Sequence, residues 1–275
     1  MKKLTKANYF DPTNKAISNS KVSDFLKSKE YYYKKHITRE LKKRQTDPMK
    51  VGSIVDSILS GEEVPYSIKV FKYEDASLFE KQKNIPDERL VTRAMADKAL
   101  ELANAVMAQP FYDEYATHHA QFQRPVEGKI EGTSTCGLID ILTNRNGAWF
   151  IDDVKTTTER GAADPKHWYW HAQELGYFRQ LGAYRQMLAL ELGTDPSTIT
   201  CRHIVASKVE DDLFKVRMYI LPHALLSQGW EEFEAVVKLI AQEKEWKDAP
   251  LTWESGVELT FGAQEEEMEE EQTEE

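Results

Sequence analysis

Gly137-Leu138-Ile139-Asp140-Ile141-Leu142, then Asn144-Arg145-Asn146-Gly147, then Trp149-Phe150-Ile151-Asp152-Asp153-Val154-Lys155-Thr156-Thr157: two apolar runs carrying acids, joined by a turn, decide the fold. Asn and Gly tolerate positive φ, so the Asn-Gly tip predicts a hairpin between strands at 136–142 and 148–154. A third strand is expected just upstream at 126–131, with Gly132 at the junction. Facing side chains on adjacent strands lie about 5 Å apart. Asp140 and Asp153 are therefore expected to share a face and to reach one hard divalent cation, which prefers oxygen ligands. Asp153 and Lys155, two apart, share a face while Val154 turns to the core, and the Val154 carbonyl is a further candidate oxygen ligand. Asp152 points the opposite way and is assigned a surface or helix-packing role.

Working outward, a long helix is expected from about His171 to Leu192, and Asp195-Pro196 then breaks the chain. Strands follow at 199–208 and 213–220, with a last helix at roughly 223–246. On the upstream side, Asn19 or Ser20 caps a helix that runs through Val22, Phe25 and Leu26 toward Tyr31–Tyr33. A second helix covers 49–60 and a third, strongly amphipathic, 92–108. Pro110 ends or kinks the third, because proline lacks the amide hydrogen. Residues 66–90 show no clear pattern. This order predicts an α/β fold: a mixed central β-sheet flanked by helices, with a helical N-terminal extension. The expected partition is 1–118 for the helical part, 119–250 for the core and 251–275 for an acidic, disordered tail.

Composition narrows the function. Of 275 residues, 41% are hydrophobic, enough for a sizeable core. No apolar run approaches the ~20 residues of a membrane span, and the N-terminus has no apolar signal region. Two cysteines, Cys136 and Cys201, are too few for a disulfide framework or a four-thiolate centre, so a cytoplasmic protein is expected. The net charge is −10, but the last eleven residues hold eight glutamates, leaving −2 for residues 1–264. Residues 1–50 carry fourteen Lys/Arg against five Asp/Glu. That asymmetry permits a polyanion meeting one face; a solvated surface explains it as simply.

Phosphodiester hydrolysis needs an activated water and a cation to offset charge growing on the phosphate. Two carboxylates that hold Mg²⁺ and a lysine beside them suit that chemistry. An isolated Asp-x-Lys, however, is more often a salt bridge at a strand end, so the setting must carry the reading.

That setting resembles the PD-(D/E)xK nuclease superfamily, with its restriction-endonuclease-like core, and within it the RecB-like and RecE-like exonuclease branch. The matching pieces are Gly137-Leu138-Ile139-Asp140, Asp153-Val154-Lys155-Thr156-Thr157 and Tyr177-x-x-Gln180-x-x-x-Tyr184. The resemblance implies that Asp140, Asp153 and the Val154 carbonyl bind Mg²⁺ (or Mn²⁺) and that Lys155 is catalytic. It implies that Gln180 and Tyr184 contact DNA or position the site, and their i,i+4 spacing puts them on one helix face. Plain packing of Tyr184 explains that pair equally well. More weakly, Ile17-Ser18-Asn19-Ser20-Lys21 resembles the branch's serine-then-helix opening. Lys50-Val51-Gly52-Ser53-Ile54-Val55-Asp56 resembles its Gly-x-x-x-His helix, with Asp56 in place of histidine, as a metal ligand or as an ordinary polar helix residue. Glu127 and Glu131 are read as strand-surface charge or as supports behind the ligands. Lys166-His167-Trp168-Tyr169-Trp170-His171 is read as a loop whose aromatics stack on bases or pack as a satellite core. His167, His171 and His203 lack metal-ligand spacing, and His118-His119 reads as a helix end.

By the same resemblance the substrate is double-stranded DNA ends, in phage or prophage recombination inside a bacterial cell. A homo-oligomeric ring and a single-strand annealing protein are the implied partners. A structure-specific endonuclease on the same core, or an inactive DNA- or protein-binding module, remain alternatives.

Overall fold

Two tight turns build the first half of the sheet. Glu131 and Gly132 both take positive φ (47° and 84°), as do Asn146 and Gly147 (53° and 92°). Such pairs match the right-handed twist of the strands they join. They connect β3 (Gln121–Ile130), β4 (Thr133–Arg145) and β5 (Ala148–Thr157) as successive antiparallel neighbours. The computed structural model describes residues 4–11, 13–41, 45–70, 74–157, 164–209 and 215–247; the acidic tail expected at 251–275 lies outside the described residues.

Ahead of the sheet come α1 (Lys6–Tyr9), α2 (Asn19–Lys27), α3 (Lys29–Tyr32) with a π-turn at Tyr33–Ile37, and α4 (Asp47–Ser60). The stretch at 66–90 contains β1 (Ser67–Ile68), α5 (Ala76–Gln82) and β2 (Leu90–Val91), and β1 and β2 pair in parallel. Next are α6 (Arg93–Met107) and α7 (Pro110–Thr117). Pro110 opens α7 rather than only closing α6, since a first-turn proline needs no amide hydrogen. After β5 come α8 (Pro165–Glu174), α9 (Tyr177–Leu192), β6 (Ile199–Ser207), β7 (Val216–Ile220) and α10 (His223–Gln242).

The five-stranded order is β3-β4-β5-β6-β7, with only β5 and β6 parallel. A parallel pair requires a crossover, and α8 with α9 supplies it. Helices cover both faces. Val22 and Phe25 of α2, Trp168 of α8, Leu181 and Met187 of α9, and Phe233 of α10 pack one side with Ile139 and Ile151. Val51, Ile54 and Val55 of α4, Leu102 and Val106 of α6 and Tyr115 of α7 pack the other, with Ile141 and Val154. The fold class is the mixed α/β sheet expected. None of the described helices is long and apolar enough to cross a membrane.

Three helix boundaries differ from expectation. The helix expected over 171–192 is two, because Gly176 adopts φ 68° and turns the chain between α8 and α9. The aromatic segment at 166–171 is helical, with Asp164 capping it by accepting from the backbone N–H of Lys166 and His167. The helix begun at Asn19 is interrupted at Ser28, whose extended backbone caps α3 through its hydroxyl.

The α9–α10 crossing depends on Gly182 and Gly229. A Cβ on Gly182 would land on backbone atoms of Leu226 and Trp230, and one on Gly229 would land on the Phe178 carbonyl. Gly182→Ala should therefore destabilise despite alanine's better helix propensity, by a net ~1–2 kcal/mol. Thermal unfolding should show a Tm lower by roughly 2–8 °C; an unchanged or higher Tm would refute this close-packed crossing.

Candidate active site

The β4–β5 ladder runs only from Arg145↔Ala148 to Ile141↔Asp152. From there β4 continues against β3, while β5 continues against β6 as far as Thr157↔Ser207. The two strands part, and the first residues inside the fork are Asp140 and Asp153. Strand alternation slips at this point. Ile139 and Ile141, two apart, are buried in opposite layers. Across the ladder from Asp140 stands Gln123, a non-glycine residue at φ 51°. Such irregularities re-aim side chains, here the Asp140 carboxylate.

Asp140 Oδ2 accepts a hydrogen bond from the Val154 backbone N–H at 3.0 Å, and the Gln123 amide lies 3.4 Å from its Oδ1. A strand residue's N–H and C=O address the same neighbour. The Val154 carbonyl therefore opens into the fork beside Asp140. Asp153 is 1% exposed. Its Oδ1 accepts from Gln180 Nε2 at 3.2 Å, and its Oδ2 forms an ion pair with Lys155 Nζ. The Gln180 nitrogen also donates to the Tyr184 hydroxyl at 3.2 Å, and Lys155 Nζ lies 4.7 Å above the centre of the Tyr177 ring. Gly137 completes the arrangement: a Cβ there would collide with the Tyr184 ring. The Gly-x-x-Asp strand and the Gln-x-x-x-Tyr helix thus fit each other directly.

Charge crowding shapes the electrostatics. Burial pushes the Asp140 pKa well above the usual carboxylate range, and the Asp153 and Asp56 charges add to it. Asp56, projecting from α4, is raised to about 7, chiefly by burial; the Lys155 charge opposes this and that of Asp153 reinforces it. Burial works against the Lys155 charge, yet Asp153 and Asp140 outweigh it and hold the ammonium above its ordinary pKa. Burial keeps Tyr184 a neutral phenol. Tyr9, reaching in from α1, hydrogen-bonds Ser18 and Tyr184 and is also raised, mainly by burial.

The structure thus brings Asp140, Asp153, Val154, Lys155, Gln180 and Tyr184 together. Asp56 feels their charges, but among the described residues no three His, Cys, Asp or Glu side chains gather into a group that could by themselves hold a metal ion. Asp152 is fully buried rather than on the surface, bound by the Arg202 guanidinium at 2.5 Å and by the Tyr115 hydroxyl of α7 at 2.7 Å. Glu127 and Glu131 are exposed, and Glu131 pairs with Lys238. Within α8, Trp168 is buried while Trp170 is 59% exposed. The sequence reading missed Tyr9, Gln123 and His203. Only His203 left a signal, as a polar residue in the apolar run Ile199–Ser207, in register with Asp153.

The family described as a PDDEXK-like domain of unknown function (DUF3799) matches residues 18–255. The chain belongs to this PDDEXK-like family. Among solved structures, a "Putative exonuclease" from Eubacterium rectale shares the fold with a TM-score of 0.64, at 17% identity over 88% of this chain and 86% of that one. A second, SSO0001, gives a TM-score of 0.29 at 14% identity, over 83% of this chain and 85% of its own. No curated protein matches the chain.

The raised carboxylates of this PDDEXK-like centre have a thermodynamic consequence. With Asp56 titrating near 7 when folded and near 3.8 when unfolded, the native state holds a proton that the unfolded chain releases. Stability therefore falls as pH rises through that window. In metal-stripped protein, Asp56→Asn should reduce the loss between pH 5 and 7.5 by about 1–2 kcal/mol, allowing for partial solvent screening. Denaturant melts at the two pH values test this; equal losses in variant and parent would refute the Asp56 assignment.

Proposed function

We propose that the protein is a divalent-metal-dependent deoxyribonuclease, acting as an exonuclease on the ends of linear double-stranded DNA. The observation that carries this reading is the convergence of Asp140, Asp153 and Lys155 in the fork where β4 and β5 part. Membership of the PDDEXK-like family supports nuclease chemistry, and the name of the Eubacterium rectale neighbour supports the exonuclease form.

The residues present fit a hard cation. Asp153 Oδ2 is buried and accepts no well-directed hydrogen bond among the described residues, although the Lys155 ammonium lies beside it. Asp140, Asp153 and the Val154 carbonyl offer oxygen donors from three directions, a set that suits Mg²⁺ or Mn²⁺ and leaves positions for water and phosphate. Asp56 is the candidate fourth donor from the helix side. When bound, the cation would polarise the scissile phosphate and lower the pKa of an attacking water.

The chain's own groups do the rest. Lys155, kept charged by its two acidic neighbours, would offer a point charge to the negative charge that grows on a pentacoordinate phosphorus. Gln180 fixes the Asp153 carboxylate through Oδ1, and Tyr184 fixes Gln180.

Linear and closed circular duplex, each with Mg²⁺ and with EDTA, provide the test. The parent protein should degrade only the linear form and only with metal. Nicking or linearisation of the circle would replace the exonuclease reading with an endonuclease. No cleavage of either would overturn the nuclease reading. Asp153→Asn and Lys155→Ala should each lower the cleavage rate by about 10²–10³-fold or more while leaving thermal unfolding in place. Either variant cleaving at the parent rate would remove that residue from the mechanism.

A further inference from the structure

Behind Asp153 lies a histidine that the chemistry above does not use. His203 has no exposed surface and pairs with Asp153 across the parallel β5–β6 register. Its ring sits in an aromatic box: Phe178 stacks on it at 5.9 Å, Trp168 meets it edge-on at 5.5 Å, and Tyr177 closes a third side at 6.0 Å.

The hydrogen bonds fix where its proton is. Trp168 Nε1–H lies 3.3 Å from His203 Nδ1. An indole nitrogen can only donate, so Nδ1 must accept and carries no hydrogen. The proton of the imidazole therefore resides on Nε2. That N–H has no hydrogen-bond partner among the described residues, and Asp153 Oδ2, ion-paired with Lys155, lies 3.9 Å away. A buried donor thus faces a carboxylate oxygen just beyond bonding distance. Leaving that donor unmade is costly, and a small rotation of the carboxylate would satisfy it.

We propose that His203 is a positioning residue for the cation centre, its Nε2–H holding the Asp153 carboxylate in the orientation that ligates the metal, with Trp168 fixing the tautomer. The inference rests on the metal-site reading above. Were Asp153 to ligate a cation instead of pairing with Lys155, its carboxylate would need an anchor at Oδ2 to match the one Gln180 provides at Oδ1. His203 is the neutral donor placed to give it. Partners that orient a metal-ligating side chain in this way typically contribute 10–100-fold in metal affinity.

Mn²⁺ titration of the metal-free protein, followed by electron paramagnetic resonance, tests this without reference to turnover. His203→Phe fills the aromatic box without the donor; it should fold, with Tm lowered somewhat because the buried Trp168 indole N–H loses its acceptor, and bind Mn²⁺ about 10–100-fold more weakly. His203→Gln returns an amide N–H to the Nε2 position and should recover affinity to within a few-fold of the parent. His203→Asn places its amide at the Trp168 end, short of Asp153, and should bind as weakly as the phenylalanine variant. If the phenylalanine variant fails to fold, the Gln–Asn contrast alone decides. Parental affinity in His203→Phe or His203→Asn, or no recovery in His203→Gln, overturns the inference while the metal site stands. A parent protein that takes up no Mn²⁺ overturns the metal reading and this inference with it.

Discussion

Two carboxylates and one ammonium confined at the parting of two strands form the constraint around which the rest is arranged. Burial and the neighbouring acids disfavour the charge on Asp140, and Lys155 is the cation the local strand supplies against them. Its ion pair with Asp153 neutralises one acid, while Asp140 is left with a raised pKa and a single strong hydrogen bond, from the Val154 backbone. The site thus carries a charge imbalance, with no closed cage of acidic, histidine or cysteine ligands among the described residues.

The adjacent residue shows how strictly the sheet separates roles. Asp152 and Asp153 are neighbours in the chain, both fully buried, yet they serve opposite faces. Asp152 is satisfied on every side by Arg202 and Tyr115, with the Arg202 guanidinium over the Phe150 ring at 4.8 Å. A buried, bidentate and fully hydrogen-bonded pair such as this one contributes register more than net stability. It locks β5 to β6 and to α7 one residue before the fork. The rigid ion pair on one face therefore holds the strand from which the Asp153 carboxylate on the other face projects.

The hairpin and the alternation of Asp153, Val154 and Lys155 were legible because both follow from local rules: Asn-Gly sets the turn and period two sets the face. The partnership of Gln180 with the acids was legible only through the resemblance, since helix spacing says which residues share a face but not what that face meets. Asp152 was read correctly as facing away, and of the two roles assigned to it, surface or helix packing, the structure shows the second; the choice was open for a physical reason. Alternation shows which side a residue points to, not whether that side is wet, and the covering helix α7 lies forty residues upstream in a stretch where Pro110 reads as a terminator. The slip at Asp140 was also invisible, because nothing in a glutamine at position 123 announces a left-handed backbone. The sequence reading also takes Gly137 as part of a motif without a reason; the Tyr184 ring against its Cα provides one.

The aromatic segment shows how a wrong local assignment hid a contact behind the candidate site. Read as a loop, Lys166–His171 offered its rings to bases or to a satellite core, and for Trp168 packing is what the structure shows. As a capped helix it turns Trp168 inward, 2% exposed, onto His203 and in parallel with Tyr219 at 6.1 Å, while Trp170 on the same helix faces out. That inward ring converts a histidine with no recognisable spacing into one with a defined tautomer. The break at Gly176 makes the geometry possible: a continuous helix over 171–192 would leave the helix axis no freedom to bring Trp168 over β6 while Gln180 and Tyr184 face the fork. One glycine in the left-handed region thus lets a single crossover both line the site with Gln180 and support it from behind with Trp168.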